Sequence, residues 1–291
     1  MAVFQISNEK ITIQIDSLGA ELKSLKHIST GTEYMWNGDA RFWKRTSPVL
    51  FPVVGGLKEG RYLLNGKEYP MGQHGFARDM EFQLKSQVAS EIWFTLESDE
   101  ETLQKYPYAF QLEIGYELDG ESVIVKWRVK NPSTEEMYFS IGGHPAFLCP
   151  IEANTTQNQY QIRFDTKDKV ISSGVKEGLL SEEKKEYLLQ DGILPVTEHL
   201  FDEDALVIEH DQAHQVALVK PDGTPYLTVS FDAPLFGIWS PPKKNAPFIC
   251  IEPWYGRCDR LSFQGEWKDR EWGQKLTGGE TFAAAYKITV G

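Results

Sequence analysis

The feature that most constrains the fold of this chain is an alternation of apolar and polar residues with a period of two. Isoleucines alternate with polar residues in EKITIQID (residues 9–16), and the same pattern runs through EIWFTLE and ESVIVKWRVKN. Because successive side chains of a β-strand point to opposite faces, this pattern is typical of half-buried antiparallel strands. Asp119-Gly120 and Asn65-Gly66 each separate two such runs and predict β-hairpins. The predicted class is therefore all-β, as a large antiparallel β-sandwich.

Helical signals are few. In SDEETLQKYP, Ser98 can cap a helix, Glu101 completes a capping box and Pro107 ends the helix. A second short helix is predicted in SEEKKEYLL (181–189), and the polar segment 150–200 is otherwise predicted to form loops. Since no long linker or internal repeat divides the chain, residues 1–291 are predicted to form a single domain with one or two short helices.

Composition narrows the classes of partner. The formal net charge is −12, which disfavours binding to nucleic acid or to an anionic membrane surface. No stretch approaches the roughly 20 apolar residues of a membrane span, and the first residues lack the pattern of a signal peptide. The 3 cysteines include no CxxC pair, and an odd number argues against a disulfide framework. We expect a cytoplasmic monomer or homodimer that binds neither nucleic acid nor membrane.

The segment FSIGGHPAF (139–147) places one histidine in an unusual setting. Gly142 and Gly143 allow backbone angles closed to other residues, and Pro145 fixes φ and lacks an N–H donor. His144 is therefore expected to lie on a bent, sterically open stretch of backbone. A tight turn whose middle residue happens to be histidine is the alternative interpretation.

A second segment, GQHGFARDMEF (72–82), also has a histidine beside a glycine. His74 is followed four residues later by Arg78, but this spacing alone does not place the two side chains on one face. For Arg78 the alternative is a surface ion pair with Asp79 or Glu81.

A third segment, APFICIEPWYGRCD (246–259), ends one face of an apolar strand in a carboxylate. Glu252 shares that face with Phe248 and Cys250. A buried ionised carboxylate costs several kcal/mol unless it is paired or hydrogen-bonded. Two interpretations stay open: a structural ion pair with Arg257, and a general base whose pKa is raised by apolar surroundings.

Nearby aromatic residues fit either a sugar site or a core. Phe236, Trp239 and Trp254 offer faces on which sugar rings can stack. The sequence contains no P-loop, GxSxG elbow, HExxH motif or cluster of Cys and His at zinc spacing. We therefore predict neither a metal nor another cofactor.

In their order along the chain, these segments resemble the aldose 1-epimerase (galactose mutarotase-like) family, and within it the LacX-type subgroup. The resemblance spans nearly the whole length and rests on MWNGDARFWKRTSPVLFPVVG, QHGFAR, YPYAFQLEIGYEL, GGHPAF and FICIEPWYGRCD. It implies a β-supersandwich fold, which agrees with the period of two. It also implies interconversion of the α and β anomers of a hexose by general acid and base catalysis, without a cofactor.

The resemblance assigns roles to individual residues. It implies that His144 is the general acid at the sugar ring oxygen and that Glu252 is the general base at the anomeric hydroxyl. His74 corresponds to a family histidine that holds and polarises the substrate. Asp204 falls where the family has an aspartate that contacts sugar hydroxyls, with Asp202 as the alternative.

The sequence departs from the family pattern at one place. The better-known galactose mutarotases carry an arginine in the stretch that matches FPVVGGL, where this chain has glycines. Arg78 is the candidate to take over that function, and Trp239 is the candidate aromatic wall of the sugar site.

Three other functions stay open at this point. A glycoside hydrolase needs a second carboxylate beside Glu252, for which Asp204 and Asp232 are the candidates. A non-catalytic carbohydrate-binding protein would use the same aromatic residues. A hexose-6-phosphate mutarotase needs two or three converging cations. The candidates for these are Lys44, Arg45, Arg78, Lys243 and Lys244.

Overall fold

The computed structural model describes residues 2–291 and is built almost entirely of β-strands. The strands in chain order are β1 Val3–Ser7, β2 Ile11–Asp16, β3 Glu21–His27, β4 Val49–Leu50, β5 Arg61–Leu64, β6 Lys67–Pro70, β7 Gln83–Gln87, β8 Glu91–Glu97, β9 Gln111–Asp119, β10 Ser122–Lys130, β11 Met137–Phe139, β12 Ile141–Gly143, β13 Ala146–Leu148, β14 Gln161–Phe164, β15 Lys169–Lys176, β16 Leu179–Leu188, β17 Ile193–Pro195, β18 Leu206–Glu209, β19 Gln215–Val219, β20 Pro225–Phe231, β21 Leu235–Trp239, β22 Phe248–Tyr255, β23 Gln274–Leu276 and β24 Thr281–Val290. The all-β prediction is confirmed.

Helices are short and few in the described part of the chain. One α-helix, α1, spans Glu100–Lys105, and four 3₁₀ turns span Lys58–Gly60, Ala77–Asp79, Gln157–Gln159 and Trp267–Asp269. Among residues 2–291 no helix has the length and apolar character needed to cross a membrane.

Two large antiparallel sheets pack face to face. The first has nine strands in the order β17-β14-β19-β20-β24-β10-β9-β8-β7. The second has eight strands in the order β16-β15-β18-β21-β22-β12-β4, with β13 also paired to β22. Tyr286 of β24 packs directly against Gly143 of β12, and the rings of Phe231 (β20) and Phe236 (β21) lie 5.1 Å apart. Side chains from both sheets therefore share one apolar core.

The strands predicted from alternation are present in the expected orientation. All three isoleucines of β2 are fully buried, and the apolar face of β10 packs into the core. Asn65 and Gly66, both with positive φ, form the two-residue loop between β5 and β6. The loop between β9 and β10 is Gly120-Glu121, one residue later than predicted.

Both helix predictions need correction. Asp99, not Ser98, caps α1, because its side chain accepts a hydrogen bond from the backbone N–H of Thr102. The second predicted helix is wrong, since that segment is strand β16, paired with β15. Glu177 and Gly178 both have positive φ and close this hairpin, and strand pairing overrides the local helical preference of the charged run.

The segment 150–200 was predicted to form loops, and this is also wrong. It contains strands β14 to β17. Of these, β14 and β17 belong to the nine-stranded sheet, and β15 and β16 belong to the eight-stranded sheet. The tip of the β15–β16 hairpin packs against the loop after β4, where a Cβ on Gly56 would lie 2.9 Å from the carbonyl oxygen of Gly178.

Strand β22 separates the main core from the outer face of its sheet. Ile249 and Ile251 are fully buried in the core between the sheets. Phe248, Cys250 and Glu252 point to the opposite face, where loops and a smaller apolar cluster cover them. The thiol of Cys250 and the carboxyl group of Glu252 therefore both lie on the outer side of the sheet, away from the main core.

Candidate active site

A cleft of about 500 Å³ opens on the outer face of the eight-stranded sheet. Its lining includes six candidates for the sugar site, namely His74, Arg78, His144, Asp204, Trp239 and Glu252. These residues come from five separate segments of the chain, which the sheet and its loops bring together. Of the other two aromatic candidates, Trp254 also lines the cleft, whereas Phe236 is buried in the main core.

The register of β22 explains why His144 meets Glu252. Gly142 of β12 lies opposite Trp254, and Ala146 of β13 lies opposite Cys250. The same register places His144, between β12 and β13, opposite Glu252. The Nε2 atom of His144 is 3.2 Å from Oε2 of Glu252, and both side chains are buried.

The glycines before His144 are required for packing rather than for unusual backbone angles. Neither Gly142 nor Gly143 has positive φ, so neither uses the backbone angles that only glycine adopts readily. A Cβ on Gly142 would lie 2.6 Å from the indole of Trp254, and one on Gly143 would lie 3.0 Å from the hydroxyl of Tyr286. The two glycines let β12 fit between the floor of the cleft and the main core.

Trp254 also lies over Gly237 of β21, where a Cβ would be 2.4 Å from the indole ring. We predict that Gly237→Ala displaces this ring and destabilises the protein by about 1–3 kcal/mol, because overpacking forces side chains from their rotamers. Thermal unfolding measures the effect. Gly72→Ala is the control, since no atom lies within 4 Å of its added Cβ. Equal melting temperatures for the two variants would show that the packing of Trp254 over Gly237 does not contribute to stability in this way.

Burial dominates the protonation of the pair. It raises the pKa of Glu252 well above its usual range, and the negative charge of Asp204 adds to that effect. Burial lowers the pKa of His144 to about 3, and the positive charges of Arg78 and Arg45 act in the same direction. Burial therefore favours the uncharged forms of both groups, in which the one transferable proton of the pair lies on Glu252.

Hydrogen bonds fix the orientation of His74. Its backbone N–H donates to the carbonyl oxygen of Gly55 at 2.9 Å, and the N–H of Gly55 donates back to Nδ1 of His74 at 3.1 Å. Nδ1 is thus an acceptor, so in the neutral ring Nε2 carries the proton. Burial lowers the pKa of His74 well below its usual value, with the charge of His144 as a smaller cause.

Aromatic rings enclose His144. Trp43 stacks on it with 4.7 Å between ring centroids and an interplanar angle of 29°. Trp239 and His74 meet it edge to face at 5.5 and 5.6 Å. The sequence analysis did not identify Trp43 as a residue of the site. Its position in FWKRT, next to the basic residues that are candidates for a phosphate site, was the one indication of a role.

The ion pair between Glu252 and Arg257 is not present. Arg257 instead binds Glu209, with Nε 2.7 Å from Oε1, and also contacts Glu271. Burial and the Arg257 pair act oppositely on the pKa of Glu209, and the net result is a lowered pKa. Arg257 therefore forms its structural ion pair with Glu209, and not with Glu252 as the sequence allowed.

Arg78 is turned into the cleft rather than toward a surface partner. Its Nη2 donates to the carbonyl oxygen of Gln73 at 2.7 Å, and its Nε is buried with no hydrogen-bond partner. Asp79 lies 3.9 Å from Nε and pairs more closely with Arg45, at 2.8 Å. Gly55, from the stretch FPVVGGL, lines the same cleft.

The two aspartates considered for the sugar site have different surroundings. Asp204 lines the cleft and has a raised pKa, chiefly because of burial. Asp202 pairs with the exposed His199, with 2.9 Å between Oδ2 and Nδ1. Only the first of the two aspartates is therefore in a position to reach a sugar in the cleft.

Comparison with known proteins places these observations in a family. The family model described as aldose 1-epimerase matches residues 2–289. The chain is 30% identical over 296 residues to "Protein LacX, plasmid" of Lactococcus lactis subsp. lactis, and the alignment covers 98% of each protein.

Two solved structures are closely similar. A galactose mutarotase related enzyme from Lactobacillus acidophilus has a TM-score of 0.94 and 32% identity, covering 100% of this chain and 97% of that one. A galactose mutarotase-like protein from Lactobacillus casei has a TM-score of 0.91 and 30% identity, covering 100% of both chains.

Proposed function

This chain belongs to the aldose 1-epimerase family of isomerases, and from that premise we propose that it interconverts the α and β anomers of a free aldohexose. One observation carries the proposal: a buried imidazole and a buried carboxylate lie 3.2 Å apart in a cleft of about 500 Å³. A cleft of this size accommodates one sugar ring with its hydroxyl groups.

The reaction needs one base and one acid. Glu252 takes the proton of the anomeric hydroxyl while His144 gives a proton to the ring oxygen, so the bond from C1 to the ring oxygen breaks. The resulting carbonyl turns about its bond to C2, and the ring closes on the other face with the two roles reversed. These steps transfer protons and break and re-form one C–O bond without oxidation or reduction, so acid and base catalysis suffices.

The proton held by the pair allows this cycle. When that proton moves from Glu252 to His144 across 3.2 Å, an acid and a base are created together. Ring opening then returns the pair to its uncharged forms, which burial favours. The pair therefore begins and ends each half of the cycle with one proton.

The other residues of the cleft would hold the sugar. The Nε2–H group of His74 and the guanidinium group of Arg78 can each donate to an oxygen of the sugar. Asp204 can accept hydrogen bonds from hydroxyls, and Trp239 and Trp43 form apolar walls.

Polarimetry on freshly dissolved sugars tests the proposal. We expect the protein to speed equilibration of at least one common aldohexose, in proportion to protein concentration. Saturable sugar binding without faster equilibration would favour a carbohydrate-binding protein, and release of reducing sugar from an oligosaccharide would favour a hydrolase. Either result would overturn the proposed reaction.

A phosphorylated hexose is the second candidate substrate, because Lys44, Arg45 and Arg78 line the cleft. Lys243 and Lys244 are not part of the lining, and Lys244 donates to the carbonyl oxygen of Phe42. Arg45 is already paired with Asp79, and Arg78 donates to the carbonyl oxygen of Gln73. Because each guanidinium group already has a protein partner, the two do not form an unoccupied bidentate clamp of the kind that a phosphate prefers.

We therefore predict that a 6-phosphate gives no tenfold gain in kcat/KM over the free hexose. Arg78→Gln is expected to raise KM for the free sugar about tenfold, because one charge-assisted hydrogen bond is lost. Steady-state kinetics on both substrates at two ionic strengths measures this. A preference of tenfold or more for the phosphate that falls with added salt would show that the substrate class is wrong.

The cysteines bear on the compartment. All three are free and buried, which supports a reducing environment. We propose a cytoplasmic location on this basis.

A further inference from the structure

Cys250 is a buried thiol that the proposed reaction does not use. It is 0% exposed and lies two residues before Glu252 on the same face of β22. Its Sγ atom, a ring nitrogen of His144 and a carboxylate oxygen of Glu252 all lie within 4.8 Å of one another. Thiol, imidazole and carboxylate thus meet next to the cleft: His144 and Glu252 line it, and Cys250 is buried behind them.

Two polar atoms in this group have no hydrogen-bond partner. Nδ1 of His144 and Oε2 of Glu252 are both buried and form no hydrogen bond, although Oε2 lies 3.2 Å from Nε2 of His144. A buried polar atom without a partner costs free energy, and a ligand that binds to it recovers part of that cost. This second observation indicates that the group is poised to bind something.

We propose that His144, Cys250 and Glu252 form a binding site for a thiophilic divalent cation such as Zn²⁺, and that the bound cation inhibits the enzyme. Sulfur, nitrogen and oxygen donors of these three kinds are the ones that zinc takes in proteins. Donor atoms around a tetrahedral zinc lie about 3.3–3.8 Å apart, so the group has to contract by only about 1 Å. A fourth position is left to water on the cleft side.

Inhibition follows because the cation takes both members of the catalytic pair. With Nε2 or Nδ1 of His144 and an oxygen of Glu252 bound to metal, neither group can exchange a proton with the sugar. The thiol of Cys250 gives its proton to solvent as the bond from sulfur to metal forms, and no oxidation or reduction occurs. Inhibition rests on the proposed function, whereas binding of the metal does not.

Cadmium is the probe for binding, because its bond to a thiolate produces an ultraviolet charge-transfer band. We expect Cd²⁺ to produce this band at one equivalent per chain, and EDTA to remove it. The band should be absent in Cys250→Ala and present in Cys258→Ala, whose buried thiol is the matched control. In case Cys250→Ala does not fold, a variant that combines Cys149→Ala with Cys258→Ala leaves Cys250 as the one thiol and should keep the band.

Activity gives the second readout. Zn²⁺ should inhibit anomer interconversion by the unmodified protein, and Mg²⁺ should not, since Mg²⁺ prefers oxygen ligands. The zinc concentration for half inhibition should rise at least tenfold in Cys250→Ala. The proposal is overturned if the cadmium band fails to form, if it needs Cys258, if zinc inhibits Cys250→Ala equally well, or if zinc accelerates the reaction. If no sugar is a substrate, the cadmium titration still decides whether the site exists.

Discussion

Replacing Glu252 with glutamine is expected to lower kcat/KM for anomer interconversion by about 10²-fold or more, because the amide cannot take the proton of the anomeric hydroxyl. The variant should stay folded and be at least as stable as the original protein. Glu252 is buried beside His144 without a lysine or arginine partner, so removing its ionisable group removes a cost of burial. Polarimetric kinetics and thermal unfolding measure the two effects.

Glu209→Gln is the matched control. Glu209 is another buried glutamate, but it binds Arg257, Ser173 and Trp272 through its two carboxylate oxygens. We expect this variant to lose about 1–3 kcal/mol of unfolding free energy, because hydrogen bonds to a charged group are weakened. Its activity per folded molecule should be retained. If Glu252→Gln instead destabilises the protein and keeps full activity, Glu252 has a structural role and the proposed base is wrong.

Replacing His144 with asparagine is expected to lower kcat by about 10²-fold or more, with a smaller effect on KM. Asparagine keeps a polar group near the ring position but cannot deliver a proton to the sugar ring oxygen. His214→Asn, which changes a partly exposed histidine bonded to the carbonyl oxygen of Phe231, should leave the kinetics unchanged. Anomer exchange followed by polarimetry over a range of sugar concentrations separates kcat from KM.

The double variant tests whether the two residues act as one unit. Because acid and base share one proton, Glu252→Gln combined with His144→Asn should lose little more activity than either change alone. Fully additive losses would mean that the two groups act independently, which contradicts the shared proton. Full activity in His144→Asn would exclude it as the acid.

The strands and the identity of the site residues could be predicted from the sequence because both depend on local patterns. In β2 and β10 one face of the strand packs into the core and the other is more exposed, so apolar and polar residues alternate. The buried positions can therefore be predicted from the sequence. The carboxylate at the end of FICIE is conspicuous for the same reason, since an ionisable group on an apolar face is costly.

The rest depends on contacts between distant segments. Gly142 and Gly237 are glycines because Trp254 lies across both, which no local pattern reveals. Arg257 was the nearest cation in sequence to Glu252, yet a partner 48 residues away, Glu209, takes it. Strand β16 lies at an exposed edge of its sheet, so its charged residues do not alternate with apolar ones. Without that alternation, the sequence predicts a helix there.

The most direct test of the central claim is ¹³C NMR exchange on a substrate hexose labelled with ¹³C at C1 and with ¹⁸O at the anomeric oxygen. Ring opening breaks the bond from C1 to the ring oxygen and leaves the anomeric oxygen attached to C1. We therefore predict enzyme-dependent exchange between the α and β signals with the ¹⁸O isotope shift retained, and loss of this exchange in Glu252→Gln. Absence of exchange for every hexose tried, or loss of ¹⁸O in step with exchange, would contradict the account.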